Sequence, residues 1–406
     1  MDKKIVSVLK KLFPVFDIVL NILLKPERNQ VFFISFNGKY SDSPKYISEM
    51  LYRLNQRVKQ VWVIDRPEDK QWLPSYIKKV KPFTLKYLLE KHKSKVIVEN
   101  GAGDYLIIKE KPILIRRLLK NKRQLDISTW HGTPFKKIGI DIENIKEPNV
   151  FTTSDLMIAG NIFEAKIFKK CFGSKIRIWI IGKPRNDIFF SLNDGKKDFL
   201  KAKLGIPKNK KVLLYAPTYR DCFSNKFILG DIISQFNKII QSVKNKFGGE
   251  WIFIVRLHHY ENNSNKLNIF EKDYYNGNCY DDMNEYLAVT DILITDYSSS
   301  MFDFILCRKP IFLLVPDWDD YKKTRGTYFE LSDLPFPYAH SIVELREKIE
   351  YFSKEDYIIR VERFINSLGF YENGTASERT ADLILKYLDN DCLSDSIGII
   401  KDMDLR

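Results

Sequence analysis

Short apolar runs recur along the chain, each closing on a polar turn, and between them apolar side chains return every three or four positions. The runs at 31–36, 60–65, 95–99, 125–129, 154–159 and 176–181 have the length and apolar content of buried strands. Helical spacing covers 45–55, closes again at 87–92 and returns over 161–172. The pattern then starts afresh. Strands are expected at 211–216, 251–255, 292–294 and 311–314, and helices at 227–247, 283–289, 341–352, 357–367 and 376–388. One more helix should open with Ser299 or Ser300 as its cap and stop at Lys309-Pro310. Residues 316–328 read as loop. Alternation of strand and helix with short connections predicts parallel sheets covered by helices. A polar, glycine-containing stretch at 192–198 marks a boundary. The expected organisation is an α/β domain over 28–191 and a second over 192–390, with an amphipathic segment 1–27 ahead of them and a loose tail 391–406 behind. At 406 residues, each domain has chain enough for its own core.

Charge narrows the partners. Lys and Arg number 66 against 52 Asp and Glu, a formal net charge of +14. Such a balance points to anions: nucleic acid, acidic lipid or a nucleotide-linked substrate. Single-strand nucleic-acid binders interleave aromatic and basic residues on one face. The aromatics here lie mainly in strands and motifs, so nucleic acid is not the expected partner. Residues 4–24 are strongly apolar, but Lys10, Lys11, Pro14, Asp17 and Asn21 interrupt them. A bilayer span needs about 20 largely unbroken apolar residues, and no small-residue cleavage site follows as in a signal peptide. An amphipathic helix is expected instead, lying on lipid or on the protein's own core. The stretch 109–123 carries seven basic side chains and one acidic among Ile and Leu, which suits an anionic membrane surface. Localisation at the cytoplasmic face of the plasma membrane, as a peripheral protein, is the expectation. Five scattered cysteines without a CxxC pair argue for reduced thiols rather than zinc or a disulfide framework.

Several polar strings sit where strands end, and in parallel α/β sheets ligands bind at the carboxyl edge. Thr295-Asp296-Tyr297-Ser298-Ser299-Ser300 places hydroxyls where a helix would begin, a combination that suits phosphate. An unliganded capped helix would carry the same letters. Trp130-His131-Gly132-Thr133-Pro134-Phe135-Lys136-Lys137 sets an imidazole beside a glycine and two cations. A hydrogen-bonded core histidine is the alternative; the strand end, the glycine and the lysines favour a functional one. Gly182-Lys183-Pro184-Arg185-Asn186-Asp187 suits an anion or a hinge. Pro217-Thr218-Tyr219-Arg220-Asp221 and Arg256-Leu257-His258-His259-Tyr260 also follow strands. Asp317-Trp318-Asp319 has the spacing of a metal pair but falls late in a loop, so a structural or ribose-binding role is expected and no metal site is assigned. If the carboxyl edges of two such domains face one another, the strings line one cleft.

Six strings in order carry a family resemblance: WHGTPFKKIG (130–139), GKPRNDIFF (182–190), LLYAPTYRD (213–221), VRLHHY (255–260), DILITDYSSSMFDFILCRKPIF (291–312) and DWDDYKKTRGTYFE (317–330). Over roughly 30–390 the chain resembles the CDP-glycerol:polyglycerophosphate glycerophosphotransferases of teichoic-acid synthesis. The resemblance implies an α/β, GT-B-like fold of two Rossmann-like domains around a central cleft. It also implies transfer of glycerol phosphate from CDP-glycerol, with release of CMP, to a lipid-linked saccharide or polymer. It makes His131 and His258 the catalytic histidines. Ser298 and Ser299 become the hydroxyl pair near the donor phosphates, and Arg325-Gly326 the late-loop pair. The long amino-terminal extension of some polymerases is not seen, which likens the chain to shorter primases and capsule enzymes. On this reading His131 is the base for the acceptor hydroxyl. Arg256, His258, Ser298 and Ser299 hold the diphosphate. Gly132, Thr133, Lys136, Arg185, Asp187, Thr218, Arg220, Asp296, Arg325 and Gly326 complete the substrate-binding set. No cofactor or metal is expected to be obligatory. The same strings leave room for a CDP-ribitol donor. Readings of another class are a nucleotide-sugar glycosyltransferase of the same fold and a non-enzymatic membrane-surface protein.

Overall fold

The computed structural model describes residues 16–390 apart from 18, 37, 102–106, 109–110, 113–122, 143–153, 173–175, 219–223 and 258–273. Side chains at 107–108, 111–112 and 224–234 are likewise not described. The amino-terminal reading is therefore met only from Phe16 onward. Arg220, His258, most of the basic stretch 109–123 and the tail 391–406 lie outside the described residues.

Seven strands form the first sheet: β1 (Glu27–Ile34), β2 (Lys59–Val63), β3 (Ile77–Val80), β4 (Ser94–Glu99), β5 (Leu125–Ser128), β6 (Leu156–Ala159) and β7 (Arg177–Ile180). Their order is β3-β2-β1-β4-β5-β6-β7, and every pairing is parallel. Six more form the second: β8 (Lys211–Tyr215), β9 (Trp251–Val255), β10 (Tyr274–Asn276), β11 (Ile292–Thr295), β12 (Ile311–Leu314) and β13 (Tyr338–Ala339). They run β10-β9-β8-β11-β12-β13, again wholly parallel. Central strands such as β4, β9 and β11 are buried along their whole length, as parallel strands covered on both faces must be. The result is the expected two-domain α/β, GT-B-like class.

The chain divides into two compact units, 1–131 with 145–187 and 371–406, and 132–144 with 188–370. The second unit resumes at Ile188 rather than 192, and two longer stretches change units. The helix Ala376–Asn390 was assigned to the second domain, yet Ala376, Ala381, Ile384 and Leu388 pack into the core of the first sheet with Val31, Ile47, Leu51 and Trp62. Its apolar stripe announces that it packs, but not against which sheet. Residues 132–144 were assigned to the first domain and belong to the second, where Phe135 is buried among Tyr297, Trp318 and Phe329.

Strands β3, β10 and β13 were not expected; each is short and lies at or near a sheet edge, where local patterning is weakest. The supposed loop around 318–325 is the helix Trp318–Arg325, and most of the boundary stretch 192–198 is the start of the helix Asp194–Lys203, capped by Asn193. Near the amino terminus, Asp17 is buried and accepts a 2.8 Å hydrogen bond from His92, while Leu20 packs on the cluster of Phe32, Val63 and Tyr87. That segment thus docks on the first unit, yet Phe16, Val19, Ile22 and Leu23 remain exposed.

Candidate active site

In the first unit, the carboxyl ends of β1, β4 and β5 deliver a polar cluster. Beyond β5 the backbone turns through Trp130, which takes a positive φ of 51°. This brings the next residue, His131, out of the strand line, and Gly132 continues the turn at φ 132°. Trp130 stacks on the imidazole at 4.4 Å between ring centres and is wedged edge-on against Phe168 and Phe172. The Nδ1–H of His131 donates to the Asn100 carbonyl at 3.0 Å. A carbonyl only accepts, so the neutral ring carries its proton on Nδ1 and leaves Nε2 as the basic atom. His131 keeps an exposed edge. The protein packed around the rest of the ring desolvates its charged form and pulls its pKa below the usual range, against the opposing pull of the Asn100 carbonyl and Asp42.

Asn100 and Asp42, which the motifs did not single out, support this histidine together with Lys183 of the 182–187 string. Asn100 follows β4; its side chain accepts from the Phe36 N–H at 3.1 Å and donates to Asp42 at 3.1 Å. Asp42, at φ 60° and only 3% exposed, takes the Arg185 guanidinium on the same Oδ2 at 3.1 Å. Lys183 is buried; its ammonium meets Glu164 at 2.8 Å, the Thr129 carbonyl at 3.0 Å and the Ile158 carbonyl at 2.9 Å. The ion pair and the two hydrogen bonds pin the backbone immediately before Trp130. Glu372 receives the Lys183 N–H on both oxygens at 3.0 Å and the Asn186 amide at 3.0 Å. Asp187 accepts the Ala376 and Ser377 N–H groups at 3.2 and 2.6 Å, so it caps the last described helix. Desolvation raises its carboxyl pKa despite those bonds. The position after a strand's carboxyl end was the available signal for Asn100 and for the 37–44 loop. Nothing local pointed to Glu372, which lies 189 positions beyond Lys183.

The second unit gathers the remaining strings at the carboxyl ends of β8, β9 and β11. Asp296 is buried and accepts from the Thr218 N–H at 2.8 Å, the Thr218 hydroxyl and the Tyr297 N–H at 2.6 Å. It ties the turn after β8 to the end of β11. Ser298 and Ser299 are half-buried, and the Ser298 Oγ accepts from the Ser300 N–H at 3.3 Å and shares a 2.9 Å bond with its hydroxyl. The helix expected to run to Lys309 is only Ser300–Phe304, followed by a 3-10 turn Ile305–Cys307 and left-handed Arg308. One helical turn has little macrodipole, so the hydroxyls and not a helix end are the polar feature here. Arg256 donates to the carbonyls of Gly277, Tyr280 at 2.7 Å and Asp281 at 2.8 Å, with its guanidinium over the Tyr286 ring. The Gly132–Lys137 string also meets the late loop. Lys136 bridges Thr327, the Lys137 N–H donates to the Gly326 carbonyl at 3.2 Å, and the Tyr328 N–H donates to the Phe135 carbonyl at 2.9 Å. Gly326 sits at φ 64°, and a side chain there would press on Lys137. Thr133 is buried and Arg325 exposed. Asp317 precedes the helix Trp318–Arg325 and accepts the Tyr297 hydroxyl at 3.0 Å.

Comparison with known proteins places this architecture. Residues 18–386 match the model of the CDP-Glycerol:Poly(glycerophosphate) glycerophosphotransferase family. The chain is 31% identical over 384 residues to the teichoic acid poly(glycerol phosphate) polymerase of Bacillus subtilis, covering 89% of this chain and 49% of that one. It therefore spans about half the length of that relative. Against the teichoic acid glycerol-phosphate transferase of Staphylococcus aureus, identity is 28%, over 89% of this chain and 94% of the relative. A solved structure of the wall teichoic acid polymerase TagF superposes with a TM-score of 0.75 at 26% identity, over 95% of this chain and 96% of that chain. With the family match running almost end to end, the chain belongs to the CDP-glycerol:poly(glycerophosphate) glycerophosphotransferases.

Proposed function

We propose that this protein transfers glycerol phosphate from CDP-glycerol to a hydroxyl of a membrane-linked saccharide or polymer, in the synthesis of wall teichoic acid or a capsular polymer. His131 Nε2 takes the acceptor's proton. The acceptor oxygen bonds to the phosphorus that carries glycerol, the bond from that phosphorus to the bridging oxygen breaks, and CMP leaves with the electron pair. Positioning and charge stabilisation supply most of the remaining acceleration in such transfers. For that part we assign Thr218, Ser298, Ser299, Arg325 and Gly326 to the donor side, with Asp296 and Arg256 shaping it and Arg220 and His258 joining it. Gly132, Thr133, Lys136, Arg185 and Asp187 complete the assignment around the histidine string.

The observation that carries this reading is the fixed tautomer of His131: Nδ1 is committed to the Asn100 carbonyl while the ring keeps an exposed edge. A merely structural histidine has no need of a basic nitrogen left open. The test is product mass spectrometry with a lipid-linked disaccharide acceptor and CDP-glycerol, CDP-ribitol or UDP-sugars in parallel. An added glycerol phosphate with CMP release supports the reading. Ribitol phosphate transfer alone would move the donor to CDP-ribitol, and UDP release from a UDP-sugar would overturn the reaction class.

Peripheral attachment to an anionic membrane at the cytoplasmic face is part of the same reading. Phe16, Val19, Ile22 and Leu23 are exposed on a segment anchored through Asp17, and exposed Phe83 lies against Tyr87 in the cluster that Leu20 joins. Among the described residues no helix is long and apolar enough to cross a membrane. Binding to vesicles containing acidic lipid should fall severalfold in Ile22→Glu/Leu23→Glu; unchanged binding would sink the attachment.

A further inference from the structure

We propose that Asp42 is the positioning residue of His131, acting through Asn100, so that the base is oriented by a carboxylate one residue removed from it. The inference rests on the reading of His131 as the base. Four observations meet at Asp42. Its backbone takes φ 60°, a conformation that few side chains other than Asn and Asp adopt readily. It is buried, with the Ser43 N–H on Oδ1 at 2.5 Å and the Arg185 guanidinium on Oδ2. The same Oδ2 receives the Asn100 amide. Asn100 in turn offers its backbone carbonyl to His131 Nδ1. Were the Asn100 side chain free to turn, its carbonyl would lose lateral support from Asp42, Ser35 and the Phe36 N–H. The imidazole would then lose the partner that fixes its tautomer.

The charged groups around the ring act with opposite signs. Asp42 favours the imidazolium, whereas Arg185 and Lys183 disfavour it. Asp42 therefore gives the base its strength as well as its direction, and Arg185 pairs with Asp42 at 3.1 Å. An aspartate-to-asparagine change keeps the shape and tolerates positive φ, so it isolates the charge.

The experiment uses the full chain with ¹⁵N-labelled histidine, the His131 signals being identified by their loss in His131→Gln. In the unaltered protein the neutral ring should show protonated Nδ1 and bare Nε2. In Asp42→Asn the His131 titration midpoint should move to lower pH, and the acid limb of kcat/KM should follow it. The kcat should fall about tenfold to a hundredfold, the scale of a misplaced catalytic group, with KM for CDP-glycerol changed less than about twofold, as positioning alone requires. Asn100→Ala, which leaves the Asp42–Arg185 pair intact, should mix the tautomers and lower kcat similarly, and it carries the test if Asp42→Asn does not fold. Unshifted titration and unchanged kcat in the variants that fold would overturn the proposal. A His131→Gln protein that still transfers glycerol phosphate would overturn the catalytic reading instead, while the tautomer measurement stands apart from it.

Discussion

The two sheet edges solve different problems with similar residues. Beyond the first sheet, buried charges are spent on holding one side chain: Lys183, Glu164 and Glu372 fix the backbone, and Asp42 and Asn100 fix the ring. Beyond the second sheet, the charged groups turn inward on the backbone itself. Asp296 accepts two N–H groups and Arg256 satisfies three carbonyls. Among the described residues at these strand ends, the half-buried Ser298 and Ser299 hydroxyls and the loop backbone face outward. On the proposed reading, one edge presents a basic nitrogen, and the described charged groups of the other keep a shape. An arginine after a strand is therefore not by itself an anion ligand, and its hydrogen bonds decide which of the two roles it plays.

Separation of activity from stability would test that contrast most severely. His131→Ala should lower kcat/KM by about 10²–10⁴-fold, the range of a lost general base. Its stability should change by no more than about 1 kcal/mol, because the ring is part-exposed and makes one hydrogen bond. In the unaltered protein, a histidine with a lowered pKa is already unprotonated at neutral pH. The acid limb of kcat/KM should thus have its midpoint below about 6.5, the ordinary histidine value. A midpoint above that value would contradict the desolvation of the ring.

Arg256→Met should show the reverse balance. It strands three carbonyls and removes the cation from the Tyr286 ring, and hydrogen bonds to a charged donor contribute about 1.5–3 kcal/mol each, without simple additivity. A loss of roughly 2–4 kcal/mol in urea unfolding is expected, with reduced affinity for CDP-glycerol following from the disordered 277–281 turn. Wild-type stability combined with a large rise in KM would make Arg256 a direct ligand and erase the difference between the two edges.

How far the sequence reached follows the same division. Central strands were legible because continuous burial leaves an apolar run, and β9 and β12 were read to the residue. The catalytic histidine candidate was legible because a strand, a histidine and a glycine are contiguous. Its supports, apart from Lys183 in the 182–187 string, were not, since Asp42, Asn100 and Glu372 converge from three further segments and nothing in each segment alone distinguishes a support from a solvated polar group. The helix after Ser299 misled for another reason: Met301, Phe302, Phe304 and Ile305 fit helical spacing, but a tightening to 3-10 geometry and a left-handed Arg308 end it early. Domain membership of the final helix was invisible for the reason given by its packing, as an amphipathic stripe has no address.

The smallest effect expected is that of a chelator. Asp317-x-Asp319 has the spacing of a nucleotide-metal pair, but Asp317 stands before the helix Trp318–Arg325 and receives the Tyr297 hydroxyl, and Tyr297 stacks on Tyr321 at 3.7 Å between ring centres. A carboxylate that holds a core tyrosine is poorly placed to turn to a cation, because doing so would forfeit a hydrogen bond to a charged acceptor, worth about 1.5–3 kcal/mol. The transfer rate in excess chelator should therefore stay within about twofold of the untreated rate, against the several kcal/mol that a catalytic ion would supply. Magnesium dependence that disappears in Asp317→Asn would show that this carboxylate serves the reaction and that the second edge, too, presents a charged group to substrate.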